Sequence, residues 1–226
     1  MSDRGTRPIT VEAAVDSLEA ALAAEAAGAD RLELCGDLGV GGITPPLELQ
    51  REARRRVRIP CFVMVRPRGG GFAYSPAEVE AMLADVARAR DLGASGIVTG
   101  ALDHLGHIDV AVTERLVAAA RPLHVTFHKA FDTLADLPGA LELLAGLGVA
   151  RVLTSGGAPT AAAGAATIAA LVQQAGSRIE IVAGGSVSGA SVVSLVRDTG
   201  VTEIHARCEA DGARIRGIAS ALQNLH

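Results

Sequence analysis

Short apolar runs rich in β-branched residues alternate along the chain with longer stretches of helical periodicity. The runs lie at 10–15, 31–35, 61–66, 96–100, 124–129, 151–155, 179–183 and 203–208. Strands that alternate with helices are typical of βαβ units, which build a parallel sheet. Eight such units in 226 residues favour a closed barrel, since these barrels commonly have ~250 residues. We therefore predict a single α/β domain over residues 1–226, a (β/α)8 barrel of the TIM type.

Glycines recur where a helical stretch gives way to a strand, at Gly28, Gly93, Gly148 and Gly200. A glycine just after a helix accepts the left-handed conformation that ends it. The main alternative is an open doubly wound sheet, which would place a Gly-rich nucleotide loop after its first strand. Residues 16–19 read Asp-Ser-Leu-Glu instead, so the pattern favours the barrel.

Several helix starts carry capping signals. Asp16 with Glu19, and Ser75 with Glu78, have the spacing of a capping box, and Thr44 directly precedes a proline. Such residues accept hydrogen bonds from the free N–H groups of a first helical turn. They predict helices that begin just after 16, 44 and 75.

Composition excludes several classes of partner. The net charge of −4 has no basic block, and there is no Trp and only one Tyr, so we expect no nucleic-acid binding. The basic run at 51–58 is typical of an exposed helix face. No apolar run approaches the ~20 residues that span a bilayer and no secretory signal is visible, so we expect a soluble protein without membrane contact. Three widely spaced cysteines favour a reducing cytoplasm.

Polar residues occupy strand positions that should face the barrel interior. Alternate residues of a barrel strand point inward, and the outward positions here are filled by apolar residues. The inward set that we predict is Glu12, Arg31, Glu33, Cys35, Arg66, Arg68, His128 and His205. Two interpretations stay open: a buried ion network that fills the barrel, or a polar pocket at the carboxyl ends of the strands, where barrels build their sites.

If the pocket is functional, its residue types indicate proton transfer and anion binding. Carboxylates and imidazoles move protons, whereas arginines, lysine, hydroxyls and Gly-rich turns hold carboxylates or phosphates. The candidate catalytic residues are Glu12, Glu33, His128 and Asp132. The candidate anion-binding residues are Arg31, Arg66, Arg68, Lys129, Thr154, Ser155, Gly184, Gly185 and His205. The structural alternatives for several of them are a packed histidine with a surface ion pair and purely structural loops.

Metal-binding patterns such as HxH, HExxH and CxxC do not occur. Cys35 is the one cysteine predicted to face inward at the carboxyl end of a strand. Cys61 begins its strand at the other end, and Cys208 has the parity of a helix-facing residue. Free cysteines are often small buried hydrophobes, so Cys35 alone is a weak indication of a metal.

The chain resembles the CutC copper homeostasis family. The resemblance rests on the phrases at 28–35, 41–45, 65–70, 74–75, 126–132, 153–156 and 183–187 and ends near 203–205, so it covers almost the whole chain. It implies a cytosolic barrel that assembles as a homodimer or homotetramer, takes part in copper homeostasis and binds copper(I).

In the family, copper is ascribed to two cysteines at the ends of strands one and two. Cys35 matches the second cysteine, but Ala14 stands at the position of the first. Soft thiolates suit Cu(I), so the substitution leaves the two-thiolate site incomplete within one chain. Met64 would be a soft substitute. Lys129 stands where the family commonly has an arginine, which keeps the charge but loses the planar fork.

Three functions are therefore compatible with the sequence. The first is a copper-handling protein that binds Cu(I) through Cys35. The second is a barrel enzyme that acts on a small anionic substrate, a phosphorylated one included. The third is a non-catalytic barrel that binds a small ligand and tolerates loss of its acid/base residues.

Overall fold

Eight parallel strands close into one barrel in the computed structural model, which describes residues 9–223. The strands follow one another around the barrel in chain order. They are β1 (Thr10–Val15), β2 (Arg31–Leu34), β3 (Cys61–Met64), β4 (Gly96–Thr99), β5 (His124–Phe127), β6 (Arg151–Thr154), β7 (Glu180–Gly184) and β8 (Glu203–Arg207). The predicted fold class is confirmed.

Most strands end one or two residues earlier than predicted. β2, for example, ends at Leu34 rather than at Cys35, and β3 ends at Met64 rather than at Arg66. The apolar and polar alternation continues past the last ladder hydrogen bond, because the chain keeps its direction as it enters the loops. The residues just beyond the strands therefore still line the interior.

Each strand is followed by a helix that packs on the outside of the barrel. The helices are α1 (Leu18–Ala26), α2 (Leu47–Arg56), α3 (Pro76–Asp91), α4 (Val110–Ala120), α5 (Leu137–Gly146), α6 (Ala165–Ala175), α7 (Val192–Thr199) and α8 (Ala213–Gln223). Short 3-10 helices also form at Leu38–Val40 and Lys129–Thr133. Between residues 9 and 223, none of the helices combines the length and the apolar character needed to cross a membrane.

The capping predictions had mixed outcomes. Ser75 and Glu78 form the predicted capping box at the start of α3. The predicted Asp16 cap is wrong, because Ser17 accepts the hydrogen bond at the start of α1. Thr44 does not cap α2, which begins after Pro46. Its hydroxyl donates instead to the Arg66 carbonyl, 3.2 Å away, and so joins two loops at the mouth of the barrel.

The alternation of strand residues follows the predicted parity. The outward residues of β1, Val11, Ala13 and Val15, belong to the large core between sheet and helices. A second, smaller apolar cluster lies inside the barrel and consists of Cys35, Phe62, Met64 and Val98. The remaining inward positions are largely polar, so much of the barrel interior consists of paired charges instead of branched apolar side chains.

Candidate active site at the carboxyl end of the barrel

A cavity of about 420 Å³ opens at the carboxyl ends of the strands. Its walls are Ala14, Glu33, Leu38, Val40, Gly41, Met64, Arg66, Phe72, His128, Lys129, Ala130, Leu153, His205 and Arg207. The structure thus brings together the predicted site residues Glu33, Arg66, His128, Lys129 and His205. Ligand pockets commonly have volumes of about 300–1,000 Å³, so a small organic molecule fits this space.

Arg31 lies at the opposite, amino-terminal end of the barrel, so its predicted place in the pocket is wrong. It forms ion pairs with Glu12 and Glu203, and its guanidinium lies over the Phe62 ring at 5.0 Å. Burial lowers the pKa of Arg31, but the two carboxylates outweigh this effect and hold the pKa above its ordinary value. The parity argument placed Arg31 inside the barrel correctly but did not say at which height.

Glu12 connects this network to the cavity without lining it. Its Oε2 accepts from Arg31, and its Oε1 lies 2.8 Å from His205 Nδ1. Burial raises the pKa of Glu12, but the hydrogen bond with His205 and the charge of Arg31 outweigh it and lower the pKa to about 2. The geometry makes Glu12 a positioning residue for His205 rather than a group that touches a ligand.

Glu33 and His205 lie side by side in the cavity wall, with Glu33 Oε2 3.8 Å from His205 Nε2. Burial raises the pKa of Glu33, and the nearby charge of His205 does not overcome this effect. Burial lowers the pKa of His205, but Glu33 and Glu12 outweigh it and raise that pKa. Glu33 Oε1 is buried and has no hydrogen-bond partner among residues 9–223.

Glu12, Glu33 and His205 could also hold a metal ion, since one ligand atom from each lies within 4.8 Å of the others. Both Glu12 oxygens already contact Arg31 and His205. The set is therefore satisfied largely as an ion-pair network, and Glu33 Oε1 is the atom left free for a ligand or a proton.

Arg66 is a buried cation in the cavity wall. It is only 4% exposed, and its guanidinium donates to the carbonyls of Val40, Gly42 and Gly70 at 3.1, 3.0 and 2.7 Å. It also lies 4.9 Å from the Phe72 ring centroid. No carboxylate in the described part of the chain forms an ion pair with it, so its charge is held by neutral groups.

His128 is buried beside Arg66. Burial lowers its pKa, and the positive charge of Arg66 lowers it further, to about 3. Its Nδ1 accepts a hydrogen bond from the Ala130 N–H at 3.2 Å, whereas Nε2 has no partner among the described residues. A Cβ on Gly100 would lie 2.6 Å from the ring, so the bare backbone of Gly100 makes room for it.

Asp132 stabilises a loop and does not line the cavity. It accepts hydrogen bonds from the hydroxyls of Thr154 and Ser155 and from the N–H groups of Ser155 and Gly157. The Lys129 ammonium lies 3.0 Å from Ser155 Oγ and 3.3 Å from Asp132 Oδ2. The structure thus places Asp132, Thr154 and Ser155 behind Lys129 and outside the cavity wall, contrary to the predicted position, and their part in binding or catalysis stays a prediction.

Gly184 and Gly185 also lie outside the cavity wall, contrary to prediction. A Cβ on Gly184 would lie 2.6 Å from Leu153, and one on Gly185 would lie 3.4 Å from Lys129 Nζ. Gly185 has φ +124°, which most side chains avoid. These glycines let β7 pass close to its neighbours, which is a packing role.

Arg68 points away from the interior, so its predicted inward position is wrong. Its guanidinium bonds to Glu78, 2.6 Å away, and to loop carbonyls including Gly71 and Ala73. The inward parity of β3 holds as far as Arg66, which lines the cavity, but at Arg68 the loop backbone no longer follows it.

Cys35 is fully buried inside the barrel and does not line the cavity. Its Sγ donates to Glu33 Oε2 at 3.6 Å. Burial, followed by the charge of Glu33, raises the pKa of this thiol well above its ordinary value. The predicted inward direction is therefore right, but the surroundings favour a neutral thiol over the thiolate that binds metals.

Sequence reasoning missed two arginines that belong to the inward-facing set. Arg207 lines the cavity and follows His205 by two residues on β8, so the same parity would have found it. Arg151 begins β6 at the amino-terminal end, where its guanidinium lies 4.2 Å from the Phe62 ring centroid. Arg151 lies two residues before Leu153, which lines the cavity, and alternate strand residues face the same side, so parity could have identified it.

The fold and cavity define the class of protein: a (β/α)8 barrel with a polar pocket at the carboxyl ends of its strands. A family model described as the CutC family matches residues 9–210. The chain therefore belongs to the CutC family.

Curated relatives agree with this assignment. The chain is 48% identical over 195 residues to a CutC family protein of Pasteurella multocida, a match that covers 86% of this chain and 80% of the relative. It is 45% identical over 208 residues to a human protein named copper homeostasis protein cutC homolog, covering 92% of this chain and 76% of that protein.

Solved structures give the same result. A CutC crystal structure from Streptococcus agalactiae superposes with a TM-score of 0.83 at 34% identity, covering 87% of this chain and 97% of that one. A thiamine phosphate pyrophosphorylase from Pyrococcus furiosus, at 15% identity and a TM-score of 0.68, shares the fold alone.

Proposed function

We propose that this protein is a barrel enzyme whose carboxyl-end cavity binds a small anion and exchanges a proton with it. The observation that carries the proposal is Arg66, a cation 4% exposed in the cavity wall without a described carboxylate partner. A buried charge without a counterion is costly. An anionic ligand in the cavity would offset that cost.

Other cations of the wall support the same ligand class. Lys129, Arg207 and His205 line the cavity together with Arg66, and Glu33 is the one carboxylate among the lining residues. Carboxylate and phosphate groups are the anions that such side chains recognise. The apolar walls formed by Met64, Phe72 and Leu153 suit the carbon skeleton of the same molecule.

Glu33 is the proposed proton-transfer residue. It lines the cavity, and its Oε1 is the carboxylate oxygen left without a partner among the described residues. Its other oxygen is held by Cys35 and faces His205. This environment fixes the carboxyl group while leaving one oxygen for the reacting proton, as general acid–base catalysis requires.

The test separates binding from chemistry. Phosphorylated sugars and small carboxylates are screened by thermal shift and confirmed by calorimetry with the wild type, Arg207→Met and Glu33→Gln. Arg178→Met, which removes an exposed pair with Glu142, is the matched control.

We expect a stabilising ligand whose affinity falls at least tenfold in Arg207→Met and stays near wild type in Glu33→Gln and in the control. Failure of every anion to stabilise the wild type would contradict the proposal. Full turnover by Glu33→Gln would contradict the role of Glu33 in proton transfer, and binding without turnover by the wild type would instead support a non-catalytic binding protein.

Copper handling is the second candidate, supported by the names of the relatives and by two soft donors. A Cβ on Gly42 would lie 3.1 Å from Cys35 Sγ and 3.4 Å from Met64 Cε, so thiol and thioether approach the same point. The residues do not fit the two-cysteine site of the family, since Ala14 offers no thiol and Cys35 is buried as a neutral thiol.

Anaerobic Cu(I) titration of the wild type and Cys35→Ala tests this candidate. Tight binding lost in Cys35→Ala would support it, and equal affinity of the two proteins would count against it.

We further propose a cytoplasmic location, supported by three cysteines that are all free. Assembly as a homodimer or homotetramer stays a prediction from the resemblance, to be measured by light scattering.

A further inference from the structure

His128 has a defined tautomer in this structure. Its Nδ1 accepts from the Ala130 N–H at 3.2 Å, and a backbone N–H can only donate. In a neutral imidazole one nitrogen accepts and the other carries the hydrogen. Nε2 therefore bears the hydrogen and is a donor.

That donor is not used within the protein. Nε2 is buried and has no acceptor among residues 9–223, although buried donors are nearly always paired. The ring is 4% exposed and belongs to the cavity wall. Phe72, with its ring centroid 5.0 Å away, and the bare backbone of Gly100 hold the ring in place.

The neutral form follows from the surroundings. Burial, followed by the positive charge of Arg66, lowers the pKa of His128 to about 3. Neutral imidazole is a donor that stays uncharged while an oxyanion forms beside it. Triosephosphate isomerase uses a neutral histidine in this way to polarise a substrate carbonyl.

We propose that His128 donates through Nε2 to a carbonyl oxygen, so that the substrate of the proposed enzyme is a small anion with a ketone or aldehyde next to an acidic C–H bond. The inference rests on the proposed function and names its substrate class. Glu33 and His128 line the same cavity, one as the proton acceptor and the other as the oxyanion donor.

The step balances without another reactant. The Glu33 carboxylate removes the proton from the carbon next to the carbonyl, and the C–H electron pair becomes the new C=C bond. The carbonyl π pair moves to oxygen, which becomes an enolate oxyanion hydrogen-bonded to His128 Nε2. Return of a proton from Glu33 to the same carbon re-forms the C–H bond and the carbonyl, which completes the exchange.

Proton exchange in D2O tests the proposal. Pyruvate, levulinate and dihydroxyacetone phosphate are incubated with the full chain, and deuterium uptake next to the carbonyl is followed by proton NMR. Two variants form a matched pair: His128→Asn keeps an acceptor for the Ala130 N–H but loses the Nε2 donor, whereas His128→Gln keeps a donor near the Nε2 position.

We expect exchange of at least one probe by the wild type. His128→Asn should lower the rate about 10²–10³-fold, the usual effect of removing one oxyanion donor, with binding of the probe nearly unchanged. His128→Gln should retain more activity. Exchange unaffected in His128→Asn, or bound probes without any exchange, would overturn this inference while leaving anion binding intact. Absence of binding would overturn the proposed function itself.

A second measurement does not depend on the variants folding. Nitrogen-15 NMR of the wild-type imidazole should show hydrogen on Nε2 and none on Nδ1 at neutral pH. A hydrogen on Nδ1, or on both nitrogens, would overturn the assigned donor.

Discussion

The two ends of the barrel interior use arginine in opposite ways. At the amino-terminal end Arg31 contacts two carboxylates, Glu12 and Glu203. At the carboxyl end Arg66 is equally buried, yet its partners are three backbone carbonyls and the face of Phe72. One charge is neutralised inside the protein, and the other is not.

This difference indicates which end of the barrel interior is the better candidate for a ligand site. A paired buried charge contributes to the structure and is weak evidence for a site. A buried charge without a counterion is retained at a cost, which an anionic ligand would offset. We therefore assign a structural role to the amino-terminal end of the interior and propose that the carboxyl end binds the ligand.

Arg31→Met should produce the largest loss of stability. It leaves Glu203 without its cation and Glu12 with His205 as its remaining partner, and breaking a buried pair in this way costs about 3–5 kcal/mol. Urea unfolding measures the change, with Arg115→Met, which breaks the exposed pair with Glu80, as the control. An effect no larger than that of the control would remove the contrast between the two ends.

Arg66→Met should cost less stability but change the site more. It leaves the carbonyls of Val40, Gly42 and Gly70 with one donor fewer, which costs about 1–3 kcal/mol where an acceptor stays unsatisfied. It also removes a positive charge from beside His128. The pKa of His128, followed by NMR titration, should rise from its value of about 3. An unchanged pKa would show that burial alone sets it.

His128 should make stability depend on pH in one direction. Its pKa is lowered from 6.5 to about 3 on folding, so between these values the unfolded chain binds the proton and the folded chain does not. Stability is complete above the unfolded pKa and falls as pH decreases, by about 1.4 kcal/mol per pH unit from this group. Subtracting the pH profile of His128→Asn from that of the wild type should isolate this slope, and parallel profiles would contradict it.

Lys129→Met should have the smallest effect on stability. Its side chain is 42% exposed and pairs with Asp132, and such partly exposed pairs contribute under about 1 kcal/mol. Anion affinity should nevertheless fall, because Lys129 lines the cavity. Urea unfolding should show nearly unchanged stability, and calorimetry should show weaker anion binding. Equal anion affinity in Lys129→Met and the wild type would place Lys129 outside the binding surface.

The fold could be predicted because each of its determinants is local. Strand parity, the glycines after the helices and the capping box at Ser75 all act within a few residues, and the closed barrel follows from eight repeats of one unit. The Asp16 cap could not be predicted correctly because the neighbouring Ser17 caps α1 instead. The Thr44 cap could not because the Thr44 hydroxyl bonds to the carbonyl of Arg66, which is distant in sequence.

The site could be predicted only in part for a related reason. Parity states that Arg31 and Arg66 both face inward, but height along the barrel depends on the register between strands. Register pairs Arg31 with Glu12 near the amino-terminal end and leaves Arg66 beyond β3 at the mouth. Beyond the strand ends the conformation of the loop backbone sets the direction of each side chain. Arg68 therefore points outward, and Asp132 bonds to a loop.

The most direct test of the central claim is to locate an anion in crystals of the full chain soaked in selenate, using the anomalous signal of selenium. We expect a selenium peak in the carboxyl-end cavity, beside Lys129 and Arg207. A peak only at the amino-terminal end, between Arg31 and Arg151, with none in the cavity, would contradict the claim.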